Sequence, residues 1–366
     1  MAVEAPTRAA NRAEAARLRG VFEAAGAVPV EAPVLLPAET LLDLYGEDIR
    51  GRAYVTSDTL RGEQMLRPDF TVPVVEMHMA HGAEPARYTY AGEVFRRQEE
   101  DAARANEYLQ VGYEIFDRDN PAAADAEVFA LIGEVLQGVP VRAATGDIGI
   151  LMAAVSGLNT TDRRKAALMR HIWRPRRFKS LIDRYSGRAP VPPTRAVLLA
   201  ELDPFANLPP EIGLRTRDEV SARITALHED AAADPISKTE VVLMDALLSV
   251  RETVPFALEH LRDIAVDMPA IAPAVDRLEA RSAAMAARGV DVDALDFEAS
   301  YGRTQMEYYD GFVFGFYAEG RPDLPAVATG GRYDALTRQL GQGREIPAVG
   351  GVVRPGLMLE LKERRA

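Results

Sequence analysis

Between residues 87 and 117 the chain reads RYTYAGEVFRRQEEDAARANEYLQVGYEIFD, two strand-like runs joined by a polar loop. Side chains alternate with period two along a strand. Tyr88, Tyr90, Gly92, Val94 and Arg96 therefore share one face of the first run, and Gln110, Gly112, Glu114 and Phe116 share one face of the second. Leu109, Val111, Tyr113 and Ile115 take the opposite, apolar face, suited to packing against a helix. A guanidinium, an amide and a carboxylate set among glycines suit recognition of a small zwitterion, whose charges supply the partners that buried ionic groups require. Glycines at 92 and 112 leave space where something else can approach the backbone. The same spacing also fits a solvated sheet face with internal ion pairs.

Two further stretches carry chemistry. In LRPDFT, residues 66–71, a carboxylate and a hydroxyl at Asp69 and Thr71 sit where a strand gives way to the helix VPVVEMHMAHGA. Free amides and the helix dipole favour an anion there, so Asp69 is either a ligand-binding group or a simple cap. In VATGGRYDALTRQLG, Gly330 and Gly331 permit close backbone approach or a tight turn.

The elements that must hold these groups follow the hydrophobic periodicity. Thr7 caps a helix whose Ala10, Leu18, Val21, Phe22 and Ala25 recur near the helical period and which ends at Gly26. A short strand to about Glu31, a bend at Pro33 and a helix from near Ala38 come next. From Arg52 to Met65 the chain reads as a hairpin, Ala53 to Thr56 and then a strand into Leu66, with Ser57 and Asp58 in the turn. After the central pair of strands, NPAAADAEVFALIGEVL is an amphipathic helix from Asp125 onward, and VRAATGDIGIL a strand entering a turn. Residues 160–288 are Ala-rich and helical in period, broken by the proline pairs 192–193 and 209–210, and read as a helical insertion in a sheet domain made of residues 1–159 and 289–366. Within it HIWRPRRFKSLIDRYSGR is basic, either a solvated helix end or, with Trp173 and Phe178, a surface for an acidic partner. The aromatic alternation of MEYYDGFVFGFYAEG restores the sheet.

Composition narrows the function classes. With 43 basic against 55 acidic residues the net charge is −12, which argues against nucleic acid as principal partner. No cysteine is present, so disulfides, thiolate nucleophiles and zinc-thiolate sites are excluded. The five histidines form no HExxH, and neither a metal nor a cofactor is expected. No apolar run is long enough to span a bilayer and the polar N-terminus lacks signal-peptide features, so a soluble protein compatible with the cytoplasm is expected.

In their order along the chain, LRPDFT, VFRRQ, QVGYE, EYYDGFVF, TGGRYD and PAVGGVV resemble the core of class II histidyl-tRNA synthetases, with EYYDGFVF and TGGRYD particular to the histidine-specific branch. The resemblance implies an α+β fold, an antiparallel sheet flanked by helices, dimeric through the first helix and the Pro33 segment. It also implies a histidine pocket of Asp69, where the family has glutamate, with Thr71, Arg96, Gln110, Glu114, Tyr308 and Tyr309. Asp69, Thr71 and Gln110 would hold the ammonium group, Arg96 the carboxylate, and Glu114 with a tyrosine hydroxyl the imidazole edge.

The departures from that family are as informative. Adenylation needs cations around the triphosphate. Thr304 and Leu357 stand where the family places two arginines, and a shift to Arg303 or Arg354 would change face or depth. The loop EEDAARANE is acidic, and the chain stops about where an anticodon-binding domain would begin. This combination resembles the regulatory subunits of ATP phosphoribosyltransferase, which implies a non-catalytic partner of the short-form catalytic subunit that activates it and takes part in feedback inhibition by L-histidine. A truncated ligase that activates an amino acid with ATP, and a freestanding histidine-binding module, are the rival readings.

Overall fold

The computed structural model describes residues 7–45, 49–97, 104–205, 213–303 and 308–363. It opens with α1 (Arg8–Ala24), whose N-cap Thr7 accepts from the Ala10 amide at 3.1 Å and whose Leu18 and Phe22 are fully buried. Then come β1 (Val28–Pro29), β2 (Leu35–Pro37), α2 (Ala38–Tyr45), α3 (Ile49–Arg52), β3 (Val55–Asp58), β4 (Gly62–Leu66) and α4 (Thr71–His81). The central hairpin is β5 (Ala86–Phe95) and β6 (Glu107–Phe116), followed by α5 (Pro121–Val135), β7 (Val141–Asp147) and α6 (Ile148–Gly157). The middle of the chain supplies α7 (Asp162–Arg170), α8 (Pro175–Tyr185), α9 (Pro193–Ala200), α10 (Arg217–Ala232), α11 (Lys238–Ser249), β8 (Arg251–Thr253), α12 (Val254–Asp267) and α13 (Ala272–Ala287). The last segment is β9 (Asp296–Glu298), β10 (Phe312–Ala318), β11 (Ala328–Arg332), α14 (Asp334–Leu340), β12 (Ala348–Val353) and α15 (Pro355–Glu363). No helix among the described residues is long and apolar enough to cross a membrane.

Among the described residues nine strands form one sheet in the order β1-β5-β6-β12-β11-β10-β7-β9-β8. From β5 through β7 every junction is antiparallel, as the sequence leads one to expect; β1 on β5 and β7 on β9 are parallel, so the sheet as a whole is mixed. A separate antiparallel sheet has the order β2-β4-β3. One face of the large sheet is covered by α1 and α5: Phe22 lies 5.3 Å from the Tyr113 ring, and Phe129 meets Phe312, Phe314 and Phe316 at 6.2, 5.4 and 5.2 Å. These contacts use the apolar face of β6 and alternate residues of β10, as period-two side chains dictate.

Three local expectations are corrected. Ser57 and Asp58 end β3 rather than form the turn, because the Asp58 carboxylate accepts the Leu60 and Arg61 amides at 2.8 Å and Gly62 takes φ 78°, which places the reversal after Asp58. The helix expected from Asp125 starts at Pro121, capped by Asn120, whose side chain accepts from the Ala123 amide at 3.0 Å. The strand expected to enter a turn after Asp147 runs directly into α6, with the Ile148 amide donating to Gly311 O at 2.9 Å.

Asp125 has a different task. It is 3% exposed and accepts from Arg332 Nη2 at 2.6 Å and Nε at 3.1 Å. Arg281, from α13, reaches the other Asp125 oxygen at 3.6 Å and Asp147 at 2.9 Å, with its guanidinium 4.4 Å over the Phe312 ring. Arg332 also donates to Asp334 at 3.0 Å, and Asp310 accepts the Asp334 and Ala335 amides at 3.0 and 2.6 Å. Burial first, then the neighbouring Asp334, raises the Asp310 carboxyl to about 7. This buried lattice fastens α13 and α5 to the ends of β7 and β11. Removing one partner of such a pair strands the others in low dielectric, so Arg332→Ala is expected to lower unfolding free energy by about 3–5 kcal/mol, read from urea denaturation midpoints.

Candidate functional site

The β5–β6 register sets Tyr88 opposite Glu114, Tyr90 opposite Gly112 and Gly92 opposite Gln110. What fills the space over the two glycines is the protein itself. A Cβ at Gly112 would lie 2.1 Å from the Tyr90 ring, and one at Gly92 would lie 2.6 Å from an Arg67 nitrogen. On the other side of β6, Glu114 pairs with Gly350 of β12, where a Cβ would stand 1.4 Å from Glu114 Oε2. The carboxylate thus points through the gap left by a missing side chain. Gly330 and Gly331 lie within β11 rather than in a turn, and the Tyr309 ring closes against Gly331.

Glu114 is 1% exposed. Its Oε1 accepts from Tyr90 OH at 2.7 Å and Thr71 Oγ1 at 3.3 Å, and its Oε2 accepts from Tyr333 OH at 2.6 Å. Burial raises the carboxyl to about 7; the hydroxyls of Tyr333, Tyr90 and Thr71 oppose that rise and the nearby Asp69 adds to it. Burial and the Glu114 charge in turn push the Tyr90 and Tyr333 hydroxyls well above their ordinary value.

All seven residues singled out in the sequence, Asp69, Thr71, Arg96, Gln110, Glu114, Tyr308 and Tyr309, line one cavity together with Thr329, Tyr333 and residues 350–352. Asp69 and Thr71 enter from the start of α4, whose N-cap is Phe70 and carries no capping side chain; Asp69 is 3% exposed and faces the cavity. Gln110 is buried, and its Oε1 has no hydrogen-bond partner among the described residues. Arg96 is anchored by its Nε to Pro68 O at 2.7 Å. Tyr308 OH stands 3.4 Å from Thr71 Oγ1, and its ring lies 4.8 Å from that of Tyr309. The space enclosed is about 30 Å3, room for a water molecule rather than an amino acid. Acidic, amide, hydroxyl and guanidinium groups converge here, a set whose chemistry matches both ends of a zwitterion.

Tyr90 and Tyr333 are the groups that sequence reasoning left out of the site. Their signal was present: Tyr90 shares the face of Arg96 by alternation, and Tyr333 is the tyrosine of TGGRYD. A larger groove of about 1180 Å3 opens on the opposite face, between α1, α5 and residues 288–295. Its floor is Glu127, which is already bonded to Arg87, Tyr113 and Arg288.

Of the cations considered for a triphosphate, Arg303 is turned away: it is 4% exposed, donates to Ile172 O at 2.7 Å and lies 4.8 Å over the Phe178 ring. Leu357 packs against the core, while Thr304 and residues 99–103 of the acidic loop lie outside the described residues. Arg354 lies 5.3 Å over the Tyr108 ring, and burial, with Arg96 and Arg104 nearby, lowers its pKa.

The raised Glu114 value has a definite sign for stability. A carboxyl raised from its usual 4.5 to about 7 in the folded protein contributes stability below pH 4.5 that is lost as pH climbs toward 7. Glu114→Gln is expected to remove that component. The wild-type stability should fall relative to the variant across this window by up to about 1.4 kcal/mol per pH unit, read from urea midpoints at successive pH values.

Residues 3–208 and 215–355 match the family profile of histidyl-tRNA synthetase. The ATP phosphoribosyltransferase regulatory subunit of Brucella ovis is 31% identical over 357 residues, spanning 91% of this chain and 93% of that protein, and that of Brucella abortus is 31% identical over 91% and 92%. Among solved structures, an ATP phosphoribosyltransferase regulatory subunit/histidyl-tRNA synthetase from Bacillus halodurans superposes with a TM-score of 0.67 at 20% identity over 98% of this chain and 81% of that one. A histidine–tRNA ligase subunit from Alicyclobacillus acidocaldarius gives 0.60 at 23% identity over 100% and 96%, and both share the fold. The chain belongs to the histidyl-tRNA synthetase family, in the branch of the ATP phosphoribosyltransferase regulatory subunits.

Proposed function

We propose that this chain is a non-catalytic, histidine-sensing regulatory subunit of ATP phosphoribosyltransferase that activates a short-form catalytic subunit and carries feedback inhibition to it. The observation that carries the reading is the convergence of all seven sequence-chosen residues on the Glu114 cavity. Asp69, Thr71 and Gln110 take the ammonium group of L-histidine, Arg96 its carboxylate, and Glu114 with a tyrosine hydroxyl of residue 308 or 309 the imidazole edge. Because the cavity is only about 30 Å3, histidine enters by displacing residues 308 and 309, so binding favours a conformation different from the empty one. A regulator needs such a difference, and coupling of about 1–3 kcal/mol is the scale expected. Neither cofactor nor nucleic acid takes part, and the protein works in the cytoplasm. Exposed Val28, Val34, Leu35 and Leu60 around β1 to β4 support self-association into a dimer through that edge.

One observation favours a second reading, a ligase. Arg96 lines the cavity, and the charges of Arg96 and Arg104 both act on Arg354, so further cationic groups stand near Arg96. Histidine-dependent pyrophosphate exchange with ATP separates the two. No exchange is expected, and robust exchange transfers the function to the ligase.

For the pocket, Glu114→Ala and Arg96→Ala are each expected to abolish L-histidine binding in calorimetry while the circular dichroism spectrum stays native; normal binding by both displaces the site. With the short catalytic subunit added, turnover should rise on addition of the wild-type chain and fall again with L-histidine, and Glu114→Ala should keep the activation while losing the inhibition.

A further inference from the structure

We propose that the exposed cationic corner joining α7 to α8 is a docking surface for an acidic protein partner, which on the function proposed above is the catalytic subunit. Arg170, Arg174, Arg176, Arg177 and Lys179 are all exposed at this corner, in a chain whose net charge is −12. Lys179 of the corner is paired with Asp183, and elsewhere in the same helical segment Arg163 pairs with Glu229, Arg184 with Asp230 and Arg188 with Asp245. Arg170, Arg176 and Arg177 have no ion-pair partner among the described residues. Arg176 and Arg177 also stand in the first turn of α8, where the local field opposes them, whereas Arg170 ends α7, where the field favours it. Helix α8 has no acidic residue in its first turn, and its N-cap, Arg174, makes no side-chain capping bond. Cations at the positive end of a helix dipole are unfavourable unless an anion arrives from outside. The same arginines bear on the half-buried His171, which is held below its ordinary pKa by burial and by Arg177, Arg174 and Arg170.

The aromatic residues decide the class of partner. Phe178 is 1% exposed and Trp173 packs against the core, so neither offers a face for base stacking, and a handful of cations on an otherwise acidic chain suits a short acidic protein surface better than a polyphosphate backbone. The corner is also joined to the pocket. Ile172 O and the Phe178 ring hold Arg303, five residues ahead of Tyr308. A partner seated on the outer side of α8 therefore bears on the residues that hold Arg303, which precedes Tyr308 of the cavity by five positions in sequence.

The experiment measures association of the full chain with the short catalytic subunit at several salt concentrations, for the wild type, for Arg176→Glu/Arg177→Glu and for the milder Arg176→Gln/Arg177→Gln. Charge reversal is expected to weaken association at least tenfold and flatten its salt dependence, neutralisation to give an intermediate loss, and both variants to bind L-histidine within twofold of wild type. Association that neither variant alters overturns the docking surface and leaves the proposed function standing. No association by the wild type overturns both. An RNA oligonucleotide bound by the wild type and lost on charge reversal, with subunit association intact, assigns the corner to nucleic acid and overturns the proposal.

Discussion

The carboxylate of Glu114 cannot be buried unless several parts of the chain meet around it. Its hydroxyl donors come from three elements: Tyr90 from β5, Thr71 from the first turn of α4 and Tyr333 from the junction of β11 and α14. A carboxylate in low dielectric costs several kcal/mol when unpaired, and that cost enforces the convergence. The absent side chain at Gly350 completes the arrangement by letting Oε2 approach β12. The hydroxyls that Thr71 and Tyr333 bring to the pocket therefore follow from satisfying this charge, whereas the neighbouring Asp69 works against it.

A second group of charges fixes how the pocket sits in the fold. Arg332 and Arg281 draw Asp125, Asp147 and Asp334 together across α5, α13 and the ends of β7 and β11, and Asp310 caps the start of α14. Tyr333 adjoins Arg332 in sequence and Tyr309 adjoins Asp310, so the tyrosines on either side of the cavity hang from anchors in this lattice. Displacing Tyr309 or Tyr333 would pull on the Asp310 or Arg332 next to it in sequence. This gives the middle helices, through α13, a mechanical connection to the site that their distance along the chain conceals.

The parts of this design that were legible in the sequence are those governed by short-range periodicity. Alternation placed Arg96, Gln110 and Glu114 on one face, and the cap at Thr7 and the start of α2 at Ala38 followed local rules. What escaped was set by contacts distant in sequence. Asp125 reads in the sequence as the start of an amphipathic helix, yet its partner is Arg332, 207 residues away. Gly92 and Gly112 looked like openings for a ligand, and only the fold reveals that Arg67 and Tyr90 occupy them. Strand β8 is three residues long and carries too little alternation to be read, although pairing with β9 makes it the edge of the main sheet. Arg303 illustrates the same limit: one position from an expected cation, it is committed to Ile172 instead.

Tyr113 and Glu114 are neighbours on β6, and they look into opposite halves of the molecule, one toward Phe22 and Glu127, the other toward the hydroxyls of the cavity. A slip of one residue in the pairing of β5 with β6 would exchange them, driving a carboxylate into the aromatic layer beneath α1 and a phenol into the space meant for it. Misaligned hairpins are thus penalised on both surfaces at once, as α1 and α5 pack on one side and α4 and the β11–α14 junction on the other.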